Sequence, residues 1–425
     1  MSSPLRASVR RMTNAGLPRR VLTGVAALAM VGVFGIVALL ALLWLERRTE
    51  VTLPALTGPF GVGRVNYAWS DSTHVDQLAP RPGTKRELLA WIWYPSAPGQ
   101  SVAMADYIPA QMRSAVGPGS RNVMTLLTRD ASMARAHSMR DADLSPQAKS
   151  YPVVIMRGGA SAGVVGYSTL AEDLASHGYV VVGFDAPYRT NTVVFPDGRV
   201  MRRTEENNPE ICVERALSQQ DRCMQKLIAA WTSDVGFALD QLDRMNTSNT
   251  TDGSGRFQGR LDLTRVGVFG HSLGGATAAQ FCHDDSRCTA GIDIDGQPFG
   301  SVITEGLQQP FMFLLSDHGT ASDTVSRRIN ANIQSIYDRL PVASRLRISI
   351  RGANHFTFSD DGALLKSRLV RGMLRLLGVL AIDGDRQLAV TAYCVHSFFD
   401  RYVMGGDGSR LQLSSPLYPE LQILE

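Results

Sequence analysis

The stretch VGVFGHSLGGATAAQ, residues 266 to 280, decides the fold of this chain. Its first four residues, VGVF, are apolar and predict a short buried strand, and its last six, GATAAQ, predict a helix. Between them lies Gly270-His271-Ser272-Leu273-Gly274, a Gly-x-Ser-x-Gly pattern. The pattern alone is weak because chance matches are common in a chain rich in Gly and Ser. Its place between a strand and a helix makes it more specific.

A sharp turn from strand to helix presents Ser272 as a candidate nucleophile. A turn this tight holds the serine in a strained backbone conformation, and side chains at Gly270 and Gly274 would collide with the neighbouring strand and helix. The serine then lies at the helix N-terminus, where free N–H groups and the helix dipole favour developing negative charge. We therefore expect nucleophilic chemistry at Ser272.

A long apolar run, VLTGVAALAMVGVFGIVALLALLWL, occupies residues 21 to 45 near the N-terminus. It is uncharged and exceeds the roughly 20 residues that span a bilayer, whereas the apolar region of a secretory signal has about 7 to 15 residues. We expect an uncleaved anchor, with an unusually long signal peptide as the alternative. Five arginines precede the run and its other flank is neutral. The positive-inside rule therefore places the N-terminus in the cytoplasm and the chain from about residue 46 in the periplasm or outside a bacterial cell.

The composition is that of an ordinary globular protein with a large core, since 44% of the 425 residues are hydrophobic. The net charge of +4 is small and lies partly in the N-terminal arginines. This balance argues against a nucleic-acid partner. The composition does not indicate an oligomeric state.

The five cysteines all follow residue 200, and four of them form two pairs that are close in sequence, Cys212 with Cys223 and Cys282 with Cys288. In an oxidising compartment this spacing predicts two short-loop disulfides and a free Cys394. Reduced structural thiols are the alternative.

Apolar segments of strand length alternate with helix-like segments from about residue 60 onward. This alternation predicts an α/β fold with a mostly parallel central sheet and helices on both faces. Besides the strand and helix of the serine motif, the predicted strands are 62–69, 87–95, 151–156, 179–185, 289–295, 310–317 and 345–352. The predicted helices are 169–178, 223–245, 323–338, 362–379 and 385–403.

The same patterns predict the domain organisation. The expected parts are a cytoplasmic basic tail at 1–20, a transmembrane anchor at 21–45, a linker at 46–59, a catalytic domain at 60–384 and a C-terminal helix and tail at 385–425. Within the catalytic domain, the polar stretch 190–218 has little periodicity and is a candidate lid insertion.

A serine hydroxyl needs a base within hydrogen-bond reach and a group that orients this base. In α/β-hydrolases the chain order is serine, acid, histidine, with the acid and histidine just after strands. The histidines after the motif are His283, His318, His355 and His396. His355 directly follows the predicted strand RLRISIRG in a flexible turn, which makes it the candidate base.

Two aspartates compete for the role of the acid. Asp317 ends the segment PFMFLLSD, and Asp295 ends GIDID one strand earlier. Asp293 is weaker because alternation places it within the strand. Position alone does not decide whether Asp295 or Asp317 is the acid.

The oxyanion hole needs two backbone N–H groups, one from the residue after the serine and one from the loop after an early strand. Leu273 supplies the first. The loop Arg157-Gly158-Gly159-Ala160 follows the strand YPVVIM and is suited to supply the second. A plain glycine turn without catalytic function is the alternative for this loop.

Several segments, taken in order, resemble the plasma and type II intracellular family of platelet-activating-factor acetylhydrolases. They are TGPFGVGRVNYAW, WIWYPSAPG, ADYIP, YPVVIMRGGASAG, LASHGYVVVGFD, GHSLGGAT, GIDIDG and RGANHFTF, between about residues 57 and 380. The resemblance implies an α/β-hydrolase fold, Asp295 as the acid, His355 as the base, and the amides of Leu273 and Ala160 as the oxyanion donors.

We therefore expect a membrane-anchored serine esterase that cleaves short-chain acyl esters, among them short-acyl or oxidised phospholipids, through an acyl-enzyme. Its expected partners are an ester substrate and the membrane, with no metal or organic cofactor. An acyltransferase or peptidase with the same triad, and a catalytically inactive binding protein, are the alternatives.

Overall fold

The structure is a computed structural model that describes residues 19–115, 127–160, 162–214, 217–248, 254–317, 324–365, 368–378, 380–406 and 417–424. The first 18 residues of the expected basic tail, and His318, lie outside these ranges. The strands are β1 Val51–Thr52, β2 Gly61–Val75, β3 Lys85–Ser96, β4 Met104–Asp106, β5 Ala134–Arg140, β6 Tyr151–Arg157, β7 Val180–Asp185, β8 Thr192–Val194, β9 Val200–Arg202, β10 Leu261–His271, β11 Cys288–Ile294, β12 Phe311–Leu315, β13 Arg345–Ile350 and β14 Leu421–Ile423.

The α-helices surround the strands in the chain order expected of an α/β fold. They are α1 Arg19–Glu46, α2 Ala110–Ala115, α3 Ser168–Ser176, α4 Pro209–Val213, α5 Leu217–Thr247, α6 Leu273–Asp284, α7 Val302–Glu305, α8 Thr324–Tyr337, α9 Asp361–Leu364, α10 Arg368–Leu376 and α11 Gly384–Tyr402.

One mixed sheet has the strand order β1-β5-β2-β3-β7-β6-β10-β11-β12-β13-β14, with β4 paired to β5. Its central part from β7 to β13 is parallel, whereas β2 and β3 form an antiparallel hairpin. The predicted fold is confirmed. Because the carboxyl ends of parallel strands lie at one edge, the residues that follow β6, β10, β11, β12 and β13 meet there.

The two faces of the sheet bury separate hydrophobic clusters. In β6, Val154 and Met156 face the cluster that α3 and α11 cover, while Val153 and Ile155 face the cluster that α5 and α8 cover. This is the strand alternation of period two, here with both faces buried. The sheet is thus fixed between two layers of helices.

Strand β5 and the C-terminal strand β14 are not predicted by the sequence patterns. The inward residues of β5 are the small Ala134, Ala136 and Ser138, which give little apolar signal. The C-terminal helix α11, expected outside the catalytic domain, packs against α3 and contributes residues to the same hydrophobic cluster. Helix α11 therefore belongs to the core of the fold.

The candidate lid at 190–218 contains regular structure where it is described. It forms the separate hairpin of β8 and β9 and the short helix α4. Cys212 in α4 is joined to Cys223 in α5, and Cys282 is joined to Cys288. Cys394 is free and buried. The disulfides that the spacing predicts are thus present in the structure.

The N-terminal helix α1 contains a stretch, Gly24–Glu46, that is long and apolar enough to cross a membrane. An 18-residue window within it has a mean hydropathy of 2.7, and no residue of this window is buried. Exposure of such an apolar surface to water is unfavourable. The helix is therefore a candidate membrane span by length and composition, and a signal sequence has the same features.

Candidate active site

Ser272 lies at a strained turn between β10 and α6. Its backbone has φ 56° and ψ −122°, and its N–H donates to the Ile294 carbonyl at 2.8 Å. A Cβ atom at Gly274 would collide with the backbone of Arg157 and Gly158, so only glycine fits there. The turn therefore has the geometry of a nucleophile elbow.

His355 begins a short 3₁₀ turn after β13 and faces the serine. Its Nε2 lies 3.1 Å from Ser272 Oγ. The His355 side chain is 35% exposed, so the imidazole is open to a substrate. This distance is within the reach that a general base needs.

Asp295 follows β11 directly and holds the other nitrogen of this imidazole. Its Oδ2 lies 2.7 Å from His355 Nδ1, and its side chain is 1% exposed. Ser316 donates to the carboxylate from its backbone N–H and from its hydroxyl, each at 2.8 Å. Asp295 also has a positive φ of 53°, which strains the backbone at this position. The carboxylate is thus fixed towards His355.

The other two aspartates point elsewhere. Asp317 accepts the Gly352 N–H at 2.9 Å and so supports the turn that leads to His355. Asp293 is fully buried beneath the elbow and accepts the Gly296 N–H at 2.8 Å. Burial raises the pKa of Asp293 well above its usual value. Of the three aspartates, Asp295 is the one that the structure brings to His355.

The two segments expected to carry the oxyanion donors lie next to the serine. Leu273 is the first residue of α6, where backbone N–H groups have no partner within the helix. On the other side, a Cβ at Gly159 would lie 3.3 Å from that of Ser272. The Gly159 N–H donates to the Tyr167 hydroxyl at 2.9 Å. Tyr167 therefore fixes the loop immediately before Ala160.

His271 connects this loop to the catalytic imidazole. Its Nδ1 lies 2.9 Å from the Tyr167 hydroxyl, and its ring centroid lies 4.6 Å from that of His355. Burial, reinforced by repulsion from His355, lowers the pKa of His271 to about 3. A neutral His271 can accept a hydrogen bond at Nδ1 from the Tyr167 hydroxyl, while the phenol oxygen accepts one from the Gly159 N–H.

Gln387 in α11 holds the turn that carries His355. Its Oε1 accepts the Asn354 N–H at 3.2 Å and the Thr357 hydroxyl at 2.5 Å, and its Nε2 donates to the Asn354 carbonyl at 2.9 Å. Gln387 is fully buried. Sequence patterns gave no signal for it, because it is distant in sequence and lies in a helix expected outside the catalytic domain.

Arg157 lies at the end of β6, just before the glycine loop. Its guanidinium stacks between the rings of Phe184 and Trp231, at 4.2 and 4.5 Å. Burial lowers its pKa to about 10, so it stays charged at neutral pH. Trp231 also belongs to the apolar cluster that contains Leu273 and Cys212. The candidate lid therefore contributes Cys212 to the same apolar cluster as Leu273, the residue that follows Ser272.

The other two described histidines that follow the serine motif, His283 and His396, do not take part in the series of Asp295, His355 and Ser272. His283 lies near the end of α6 and contacts the Gly306 carbonyl and Glu305. His396 is buried in α11 beside Asp173. Neither makes a hydrogen bond with Ser272.

Comparisons with known proteins identify the family and the fold of this chain. The sequence model of the family described as platelet-activating factor acetylhydrolase, isoform II, matches residues 46–403. A probable 1-alkyl-2-acetylglycerophosphocholine esterase of Arthroderma benhamiae is 26% identical over 290 residues, 64% of this chain and 66% of that protein. The platelet-activating factor acetylhydrolase of Cavia porcellus is 26% identical over 277 residues, 60% of this chain and 58% of that protein. Both matches span less than two thirds of these relatives' lengths.

Among solved structures, a ferulic acid esterase from Streptomyces cinnamoneus superposes with a TM-score of 0.71 at 26% identity. The match covers 89% of this chain and all of that one. The family match extends beyond the segments 57 to 380 that carry the resemblance and includes the whole of helix α11. The chain therefore belongs to the platelet-activating factor acetylhydrolase family, isoform II, and has its α/β-hydrolase fold.

Proposed function

We propose that this protein is a serine carboxylic-ester hydrolase that acts through an acyl-enzyme. One observation carries the proposal: a continuous hydrogen-bonded series runs from Asp295 to His355 at 2.7 Å and from His355 to Ser272 at 3.1 Å. The arrangement has the acid, base and nucleophile roles of a serine-hydrolase triad.

In acylation, Ser272 Oγ attacks the ester carbonyl carbon while His355 Nε2 takes its proton. Asp295 stabilises the resulting imidazolium and keeps Nε2 directed at the reacting atoms. Nε2 then donates this proton to the alcohol oxygen as the carbon–oxygen bond breaks. The acyl group remains on Ser272.

In deacylation, His355 takes a proton from a water molecule that attacks the acyl carbon, and returns it to Ser272 Oγ. We assign the oxyanion of both tetrahedral intermediates to the amides of Leu273 and Ala160. Loss of one such donor typically costs about 3 kcal/mol of transition-state stabilisation. That no cofactor takes part stays a prediction.

We propose short-chain acyl esters as substrates, with short-acyl phospholipids as the first class to test. The names of two curated relatives, an alkylacetylglycerophosphocholine esterase and a platelet-activating factor acetylhydrolase, support this class. The ferulic acid esterase neighbour favours a second candidate class, aryl esters.

A substrate comparison distinguishes the two classes. The full chain in detergent would be assayed with a 2-acetyl phospholipid, its 2-palmitoyl analogue and methyl ferulate, with Ser272→Ala as the matched control. We expect the acetyl phospholipid to have the highest kcat/KM and the control to be inactive. Preference for methyl ferulate would favour the second class. Aminolysis or peptide cleavage without hydrolysis would contradict both.

We further propose that α1 anchors the protein in a membrane, with a cytoplasmic N-terminal tail up to residue 20 and the catalytic domain outside. The apolar helix, the arginines that precede it and the two disulfides support this topology. Alkaline phosphatase fused after residue 60 should be active. Mass spectrometry of the mature N-terminus separates the anchor from a cleaved signal.

We also propose that residues 46–59 link the anchor to the catalytic domain and that 190–218 covers the active site. Cys212 and Leu273, the residue after the nucleophile, belong to one buried apolar cluster, which supports the second assignment. Selective reduction of the Cys212–Cys223 disulfide should then change kcat/KM for a phospholipid more than for a small soluble ester. Equal effects on both substrates would exclude a covering function.

A further inference from the structure

A cluster of side chains that can bind metal ions lies at the C-terminal end of helix α3, away from the active site. Asp173 lies in the last turn of α3, His177 is the C-cap residue of this helix, and His396 comes from the neighbouring helix α11. One donor atom of each lies within 4.8 Å of the other two. Asp173 and His396 are more than nine-tenths buried, and His177 is half-buried and gives access from solvent.

The sequence spacing matches this geometry. Asp173 and His177 are four residues apart, and this spacing puts both side chains on one side of the last helical turn. The rings of His177 and His396 are stacked, with centroids 4.1 Å apart and an angle of 21° between their planes. His396 Nδ1 lies 2.8 Å from Asp173 Oδ2. The two imidazoles and the carboxylate thus lie side by side, with their donor atoms grouped at one place.

Thr57 orients the carboxylate from the opposite side. Its N–H and its hydroxyl donate to Asp173 Oδ1 at 3.2 and 2.6 Å, and its oxygen lies 2.8 Å from His177 Nε2. Such outer contacts are typical of carboxylates that bind metals. They leave Asp173 Oδ2 directed at His396.

We propose that Asp173, His177 and His396 form a binding site for a divalent transition-metal ion, and that zinc fits it best. Two imidazole nitrogens and one carboxylate oxygen are a donor set that zinc accepts in tetrahedral sites, with water as the fourth ligand. Donors about 2.1 Å from a tetrahedral ion lie about 3.4 Å apart, so donor atoms that lie within 4.8 Å of one another approach by at most about 1.4 Å on binding. Rotation of the half-exposed His177 can supply this movement.

The location indicates a structural function for the ion. Helix α3 begins beside Tyr167, and α11 begins near Gln387, both next to the active site. The cluster lies about 13 Å further along α3, at its other end. A zinc ion would therefore tie the two helices together away from Ser272, and would stabilise the fold without entering the ester chemistry.

Zinc titration of the metal-stripped full chain in detergent tests the proposal, with a chromophoric chelator as competitor. The variants are His177→Ala and, as a control, His283→Ala, which removes another half-buried histidine beside a carboxylate. We expect one tight zinc equivalent in the wild type and in His283→Ala, and its loss in His177→Ala. Zinc should also raise the Tm of the wild type but not that of His177→Ala.

Hydrolysis of a short aryl ester by zinc-free His177→Ala should stay within about twofold of the zinc-free wild type, which verifies that the variant is folded. Equal zinc binding by the wild type and His177→Ala would overturn the site. Loss of the bound zinc in His355→Ala, with zinc binding retained in His177→Ala, would assign the ion to the active site. This result would also overturn the proposed site. These outcomes are independent of the esterase proposal, because zinc binding is measured without substrate.

Discussion

His355 Nδ1 lies 2.7 Å from Asp295 Oδ2, while the carboxyl group of Asp317, one strand later, accepts the N–H of Gly352. Both aspartates follow strands whose carboxyl ends lie at the active-site edge. We therefore propose Asp295 as the acid because of its contact with His355, and not because of its position after a strand.

Replacement of Asp295 by Asn should lower kcat about 10³- to 10⁴-fold, because the imidazole loses the carboxylate that fixes its tautomer and stabilises its cation. Asp317→Asn is the matched control and should keep kcat within about fivefold, since an amide oxygen can still accept the Gly352 N–H. Steady-state hydrolysis of an aryl ester measures both. A large loss confined to Asp317→Asn would reverse the assignment.

Gln387→Leu should lower kcat about 10- to 100-fold with little change in KM. The substitution leaves the Asn354 N–H, its carbonyl and the Thr357 hydroxyl without their partner, and a small displacement of a catalytic group costs rate. Thr391→Val, on the same helix, removes a hydroxyl that bonds only within α11 and should be nearly neutral for kcat. Equal kcat values for the two variants would exclude a positioning function of Gln387.

Tyr167→Phe should weaken the oxyanion hole, because the Gly159 N–H loses its acceptor and the preceding loop is released. We expect kcat to fall about tenfold, less than for direct loss of a donor. Affinity for a trifluoromethyl ketone inhibitor should fall in parallel. Tyr179→Phe removes another largely buried phenol, which bonds Asp400, and should leave both quantities near wild type. Unchanged inhibitor affinity in Tyr167→Phe would contradict the loop assignment.

His271 should make the folded protein sensitive to acid. Its pKa of about 3 in the folded protein is below its usual value of 6.5, because the site is buried and faces His355. The unfolded chain therefore binds the extra proton first, and stability is lost as the pH falls from about 6.5 towards 3. The slope from this group is at most about 1.4 kcal/mol per pH unit.

His271→Asn, which keeps an acceptor for Tyr167, should flatten this dependence. Urea unfolding at several pH values between 4 and 7 measures the free energy of unfolding for both proteins. Parallel curves for His271→Asn and the wild type would show that His271 does not titrate on unfolding in this range.

The parts of the site that local sequence encodes were predictable. The elbow requires its glycines next to Ser272, and His355 directly follows a strand, so chain order alone proposes both. The family resemblance, rather than position, favoured Asp295 over Asp317. Tyr167 and Gln387 could not be predicted because each acts through backbone groups that only the folded chain brings near.

Among the strands, too, some are encoded in the local sequence and others depend on contacts that form only in the folded chain. Central strands such as β6 and β7 are continuous apolar runs and were predicted almost residue by residue. The edge strand β5 buries only small side chains, and β14 has three residues, so neither produces a hydrophobic pattern. Their positions depend on pairing with strands far away in the sequence.

Labelling with a fluorophosphonate probe, followed by intact-mass and peptide analysis, tests the central claim most directly. An activated serine in this geometry should react, so the wild type should gain one adduct located on Ser272. Ser272→Ala should gain none, and Asp295→Asn should react much more slowly. A folded wild type that stays unlabelled, or an adduct that persists in Ser272→Ala, would contradict the assignment of Ser272 as the nucleophile.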